Sequence, residues 1–167
     1  MNSGGVPPKA SPSIAVLAVS VGGLRCGFVA EDVVSVHPAA RPQPLPGAPP
    51  IIEGILNIAG RIVPLLDLRR RLGLAPERLR ARQHLVELRV QNQHVAVRVD
   101  RAESLATTPG DAISDVPAEG RAVIANGVIR LPDGLLVIYH PSRFLDPAEM
   151  DQIEAALEVH SAVSDGA

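Results

Sequence analysis

The sequence predicts a mainly β fold of two small barrels sharing an apolar core, with a short helix after the first barrel and another near the C-terminus. Three observations carry this expectation. Hydrophobic residues make up 46% of the 167 residues while aromatics make up 2% and Trp is absent, so the core must come from Val, Ile, Leu and Ala, as suits barrels filled by aliphatic side chains. Short apolar runs occur in pairs around turn residues. An arginine-rich helix and loop separate two sets of such pairs.

Residues 1–12 are rich in Gly, Pro and Ser without periodicity and are expected to form a disordered lead-in. Runs 14–21 and 24–30 flank Gly22-Gly23, a good two-residue hairpin turn. Val33, Val34 and Val36 follow Glu31-Asp32 and predict a short turn and another strand. Residues 41–50 hold five prolines and belong in an extended surface loop, because proline cannot join a central ladder.

The stretch IIEGILNIAGRIVPLLDLRRRLGL predicts strands at 51–58 and 61–66. Asn57 suits the first position of a type I turn and Gly60 the left-handed position after it, giving a hairpin turn closed by a bulge. Pro64 is acceptable there at an edge or a bulge. Asp67 can cap a short helix carrying Leu68 and Leu72 on one face, and Gly73 can end it.

Runs 84–90 and 94–99 surround Gln91-Asn92-Gln93 as a further hairpin, and 103–106 is short enough for an edge strand. Runs 122–131 and 135–140 enclose Pro132-Asp133-Gly134. Pro147 can open a terminal helix whose Met150, Ile153 and Leu157 form one apolar stripe. The expected organisation is therefore a lead-in at 1–12, one body of two intertwined barrels at 13–145, a helix at 146–160 and a frayed tail at 161–167.

Several of these segments resemble one family. GILNIAGRIVPLLDLRRRLGL is similar to the signature of the CheW-like proteins, and SIAVLAV, FVAEDVVSV, HLVELRV, HVAVRVDRAESL and NGVIRLPDGLLVIYH follow in the family's order over roughly residues 14–145. The tail FLDPAEMDQIEAAL resembles the helix that closes many members. This resemblance implies two SH3-like five-stranded barrels related by approximate twofold symmetry. It also implies a coupling protein without catalytic activity, whose partners are the regulatory domain of a CheA-type histidine kinase and the cytoplasmic tip of a methyl-accepting chemoreceptor.

By the same resemblance Val33, Val36, Gly54, Asn57 and the Ala59-Gly60 turn lie near partner-facing regions. Each also has a structural role open to it: core for the valines, a bulge for Gly54, turn formation for Asn57 and Gly60. Two positions depart from the family, which usually carries Glu where Ser35 stands and Arg where Ala59 stands. Their joint change points to a rewired interface, for which Arg61 offers a replacement charge; its simpler role is an exposed arginine at a strand start. Motility is the expected output, with pili, surface growth or second-messenger synthesis as the divergent variants.

Composition narrows the chemistry. Cys26 is the single cysteine, so an internal disulfide and a multi-cysteine metal site are excluded, and its place among strand residues predicts a buried, inert thiol. His37, His84, His94, His140 and His160 have no close metal-ligand spacing and are expected at the surface or at strand ends. Asp67 and Asp100 end strands and are read as turn-forming or capping residues. No nucleophile elbow or phosphate-binding glycine loop is present, and no cofactor is expected. The chain lacks a signal-peptide pattern and an apolar run of membrane-spanning length, which predicts a cytoplasmic protein without membrane insertion, recruited to receptor arrays.

The second functional reading is a barrel that binds nucleic acid or another polyanion. From 61 to 82 there are seven arginines against Asp67 and Glu77, a local balance of +5 within a chain of net charge −2. Arg69, Arg70, Arg71, Arg78, Arg80 and Arg82 then either meet an acidic partner or simply solvate a helix and loop. Only Phe28, Tyr139 and Phe144 are available for base stacking, and the acidic remainder opposes polyanions, so no nucleic-acid partner is expected.

Overall fold

Hairpins with two-residue loops organise the chain. In the computed structural model, which describes residues 4–5, 12–114 and 125–166, β1 (Ser13–Val21) and β2 (Leu24–Val29) pair with Val21 opposite Leu24. Gly22 and Gly23 both take positive φ, as the primed turns of tight hairpins require. A 3-10 turn at Ala30–Asp32 leads to β3 (Val33–Pro38). The lead-in at 1–3 and 6–11, the first residues of the 122–131 run and the last tail residue lie outside the described residues.

The β4 (Ile52–Ile58) and β5 (Arg61–Leu66) hairpin corrects the expected turn. Ile58 faces Arg61, so only Ala59 and Gly60 form the loop, and both have positive φ, 51° and 82°. This is primed-turn geometry, which matches the right-handed twist of the strands better than the type I turn with a bulge. The register irregularity lies at the other end of β4, between Ile52 and Gly54. Asn57 keeps its turn role: its Oδ1 accepts the Gly60 N–H at 2.9 Å.

Asp67 accepts the Arg70 N–H and caps α1 (Leu68–Arg71), which buries Leu68 and ends with Gly73 at φ 69°. The chain continues through β6 (His84–Val90), β7 (Gln93–Val99), β8 (Arg101–Pro109) and β9 (Ile113–Ser114). Val90 faces Gln93, so Gln93 belongs to the strand and not to the expected three-residue turn. The edge segment expected at 103–106 is longer, since β8 pairs with β1 along most of its length. β10 (Ala125–Leu131) and β11 (Gly134–Tyr139) form the last hairpin.

Two mixed sheets result. One has six strands in the order β8-β1-β2-β11-β10-β9, and the other has five in the order β3-β6-β7-β5-β4. The strands do not sort into the halves before and after the arginine segment: β6 and β7 join β3–β5, while β1 and β2 join β8–β11. Parallel contacts of β11 with β2 and of β5 with β7 complete the sheets. Pro64 is buried in an interior strand, where the pairing with β7 begins one residue later at Leu65, so its missing N–H removes no bond on that side.

The sheets share one large core. Val86, Leu88, Val97, Val99 and Leu66 meet Val19, Val21 and Phe28, with Phe144 and Ile153 packed in. Phe28 and Phe144 stack edge to face with ring centroids 5.9 Å apart. The opposite faces of the same strands form smaller clusters: Leu56, Ile58, Val63, Leu65, Leu85 and Ala96 in the five-stranded sheet, and Val16, Ala18, Ile129, Leu136 and Ile138 in the six-stranded one. Strands buried on both faces explain the near-continuous apolar runs.

Helix α2 (Pro147–Asp165) opens with a capping box between Asp146 and Glu149. Ile153 is buried, and Met150 and Leu157 pack against the large core, as the stripe predicts. The helix runs past residue 160, where a frayed tail was expected. Ser161 to Ser164 contain no breaker, so helical hydrogen bonding propagates until Gly166.

Candidate partner-binding site

Two of the predicted site residues, Ser35 and Arg61, converge on one end of the five-stranded sheet, around a carboxylate the sequence reading did not single out. Glu87 alternates with Val86 and Leu88 along β6, so while those valine and leucine side chains enter the shared core, Glu87 lies on the opposite face with Leu85. Its side chain is 0% exposed. Such a charge is tolerated only when paired and hydrogen-bonded, and three strands contribute: the neighbours β3 and β7 and, beyond β7, β5. From β3, Ser35 donates its hydroxyl to Oε2 at 2.6 Å. From β5, Arg61 Nη2 donates to Oε1 at 2.6 Å, and from β7 His94 Nδ1 lies 2.8 Å from the same oxygen.

These bonds fix the proton positions. A carboxylate only accepts, so His94 carries its proton on Nδ1. Because Ser35 donates to Glu87, the 2.6 Å contact between Ser35 Oγ and His37 Nε2 requires His37 to donate from Nε2. Burial alone pushes the Glu87 carboxyl up, but the Ser35 and His94 hydrogen bonds and the Arg61 charge outweigh it and hold the group below the usual glutamate range.

Beside this cluster lies a groove of about 220 Å³ lined by His37, Pro38, Ala40, Leu56, Asn57, Ile58, Ala59 and Leu85. Leu56, Ile58 and Leu85 are buried and supply an apolar floor, while Asn57 and Ala59 are exposed on the hairpin end. Of the predicted residues, Asn57 and Ala59 line the groove, and Ser35 and Arg61 meet at Glu87. Val36 is 41% exposed on β3. Val33 instead packs against the large core, and Gly54 sits under the proline loop, where a Cβ would approach Gln43 O to 2.4 Å.

His37, Glu87 and His94 were missed. The available signal was an acidic residue in the middle of the apolar strand HLVELRV. His37, His84, His94 and His140 stand at or beside strand ends, as expected, and are half-buried hydrogen-bonding groups. His84 Nδ1 accepts the Ala102 N–H at 3.3 Å and His140 Nδ1 the Ser142 N–H at 3.3 Å.

Half of the six-arginine patch is engaged within the fold. Arg69, 12% exposed, bridges Glu77 at 2.6 Å and Asp100 at 2.8 Å. Arg80 also pairs with Glu77, and Arg71 holds both carboxylate oxygens of Glu149 at 2.7 Å, tying α1 to α2. Burial raises the Asp100 carboxyl, but Arg69, the Gly22 N–H and Gln83 together hold it below its ordinary range. Arg70, Arg78 and Arg82 remain exposed. Cys26 is buried, and desolvation pushes its thiol up to about 12, a value at which it is no nucleophile. Among the described residues no group of three or more His, Cys, Asp or Glu is placed to hold a metal ion, and no helix is long and apolar enough to cross a membrane.

Comparison with known proteins agrees with this architecture. The chain is 26% identical over 102 residues to the chemotaxis protein CheW of Bacillus subtilis (strain 168), a match covering 61% of this chain and 65% of that protein, just under two thirds of its length. It is 33% identical over 115 residues to protein FrzA of Myxococcus xanthus, covering 68% of this chain and 71% of FrzA. The crystal structure of the scaffolding protein TtCheW from Thermoanaerobacter tengcongensis superposes with a TM-score of 0.75 at 19% identity, over 85% of this chain and 94% of that one, and so shares the fold. Residues 15–149 match the CheW-like domain, and the chain accordingly belongs to the CheW-like domain family.

Proposed function

We propose that this protein is a non-catalytic adaptor that couples methyl-accepting chemoreceptors to a CheA-type histidine kinase in chemotaxis or a related signalling pathway. The observation that carries the reading is the groove at the β4–β5 turn. Positions that the family resemblance puts toward partners, Asn57 and Ala59, line a groove whose floor is apolar. A coupling protein needs such a rigid recognition surface and no reactive side chain. Asn57 and Ala59 form this surface with Ser35, Val36 and Arg61 beside it, while Val33 and Gly54 serve the core and the proline loop behind it, and the protein works in the cytoplasm at receptor arrays.

The same reading takes each sheet as a closed SH3-like barrel of five strands. In its support, β8 and β9 stand at opposite ends of the six-strand order yet are separated only by a 3-10 turn at Gly110–Ala112, so they count as one bent strand. In the other sheet the segment after β3 bonds through Ala39 to Gln83 beside β6 and through Gln43 to Ile55 of β4. The departures at Ser35 and Ala59 favour a divergent partner pair controlling pili, surface growth or second-messenger synthesis as the variant output.

The test is co-sedimentation of the kinase with receptor-containing membranes from the same organism. The kinase should pellet with the receptor only when this chain is added. A kinase distribution indifferent to the chain overturns the reading.

A further inference from the structure

We infer that the groove beside Glu87 takes a partner segment that inserts one apolar side chain onto Leu56, Ile58 and Leu85 and sets a carboxylate on Arg61. This deepens the adaptor reading and rests on it. At about 220 Å³ the groove falls below the roughly 300 Å³ at which small-molecule sites begin, and its size suits a single side chain. The floor residues offer no polar atom of their own side chains, so what enters must be apolar.

The rim defines the rest of the partner. His37 and Asn57 line it, exposed Arg41 follows Ala40 in the chain, and Arg61 stands next to the turn with 49% of its side chain exposed. None of the lining residues is a carboxylate. Glu87, the carboxylate of the cluster, is fully buried and already committed to Arg61, Ser35 and His94. Arg61 uses Nη2 on Glu87, whereas Nε and Nη1 have no partner among the described residues. A planar guanidinium held at one end presents its remaining donors with little further loss of freedom, which is the geometry that recognises a carboxylate.

Glu87 is thus a positioning residue, anchoring Arg61 directly and His37 through Ser35. A basic partner segment meets only like charge here, and a wholly apolar one leaves the rim without complement.

A photo-reactive benzoylphenylalanine in place of Ala40, on the groove wall, tests this in the full chain mixed with the purified kinase regulatory domain or receptor cytoplasmic fragment of the same organism. The captured segment should carry an apolar residue within one helical turn of an Asp or Glu. Asn57→Asp keeps the turn's hydrogen-bond acceptor and Arg61→Gln keeps a donor for Glu87; each should weaken that complex about tenfold. Changing the captured carboxylate to Lys should weaken the wild-type complex, and Asn57→Asp should restore it. A captured segment without a carboxylate, unchanged affinity in both variants, or binding with no capture at Ala40 overturns this inference alone. Failure to bind either protein overturns it together with the adaptor reading.

Discussion

Arg61 places Nη2 2.6 Å from Oε1 of Glu87, anchoring a half-exposed cation at the turn to a carboxylate that water does not reach. The two residues come from β5 and β6, which are not neighbours in the sheet: β7 lies between them and adds His94 to the same oxygen. The pair therefore pins three strands at the end of the sheet where the groove opens.

Removing Glu87 should be costly. Glu87→Ala deletes the acceptor for Ser35, Arg61 and His94, and loss of one member of a buried charged network is expected to destabilise by about 2–3 kcal/mol, tempered by the exposure of Arg61. Glu87→Gln retains the volume and one acceptor and should cost about 1 kcal/mol. Urea unfolding checks both, and a change below half a kilocalorie for Glu87→Ala would contradict the role given to the cluster.

The acid limb of stability follows from two carboxylates. Glu87 and Asp100 are both held below their ordinary range in the folded chain, so the stability they contribute is fully present above about pH 4, where the unfolded groups ionise, and is lost as pH falls through their lower folded values. Unfolding midpoints should change little on this account between about pH 7 and 5 and fall below about pH 4. Glu87→Gln should make that fall shallower, and an equally steep fall in the variant would show that other groups dominate.

The turn carries removable strain. Ala59 is a side-chain-bearing residue at φ 51°, a region that costs an L-residue about 1 kcal/mol and that Asn tolerates well before Gly. Ala59→Asn should therefore raise stability by about 0.5 kcal/mol in thermal unfolding. A lowered melting temperature would contradict the primed-turn assignment.

The arginine segment should bind nucleic acid poorly. Arg61, Arg69, Arg71 and Arg80 are engaged by Glu87, Glu77, Asp100 and Glu149, which leaves Arg70, Arg78 and Arg82 as the exposed arginines of the segment without a carboxylate partner among the described residues. Anisotropy with single-stranded DNA should give a dissociation constant weaker than about 100 μM at about 150 mM salt. Submicromolar binding with a steep salt dependence would reverse the assignment.

The local devices were legible in the chain. Gly22-Gly23, Asn57 to Gly60, Asp67 with Gly73, and Pro147 each specify a turn or a cap through their own backbone preferences, and the hairpins lie where those residues put them. The sorting of strands into sheets was not legible, because the pairings of β1 with β8 and of β11 with β2 join distant segments that periodicity treats alike. That is also why the site was half seen. Ser35 and Arg61 could be chosen from their place in the family pattern, whereas Glu87 acquires its meaning only when β3, β6, β7 and β5 lie side by side. The arginine run failed as a charge argument for the same reason, its distant counter-ions Glu87, Asp100 and Glu149 lying in β6, between β7 and β8, and in α2.

Binding of the purified chain to the regulatory domain of the CheA-type kinase and to the receptor cytoplasmic fragment from its own organism tests the account most directly, with Ala59→Asn and Ala59→Asp compared. Both variants suit the left-handed turn position, but only the second puts a negative charge on the groove wall. The account predicts that the wild type and Ala59→Asn bind alike and that Ala59→Asp binds at least about tenfold more weakly to the partner that fills the groove. A wild-type chain that binds neither protein, or equal binding by all three to both, would contradict it.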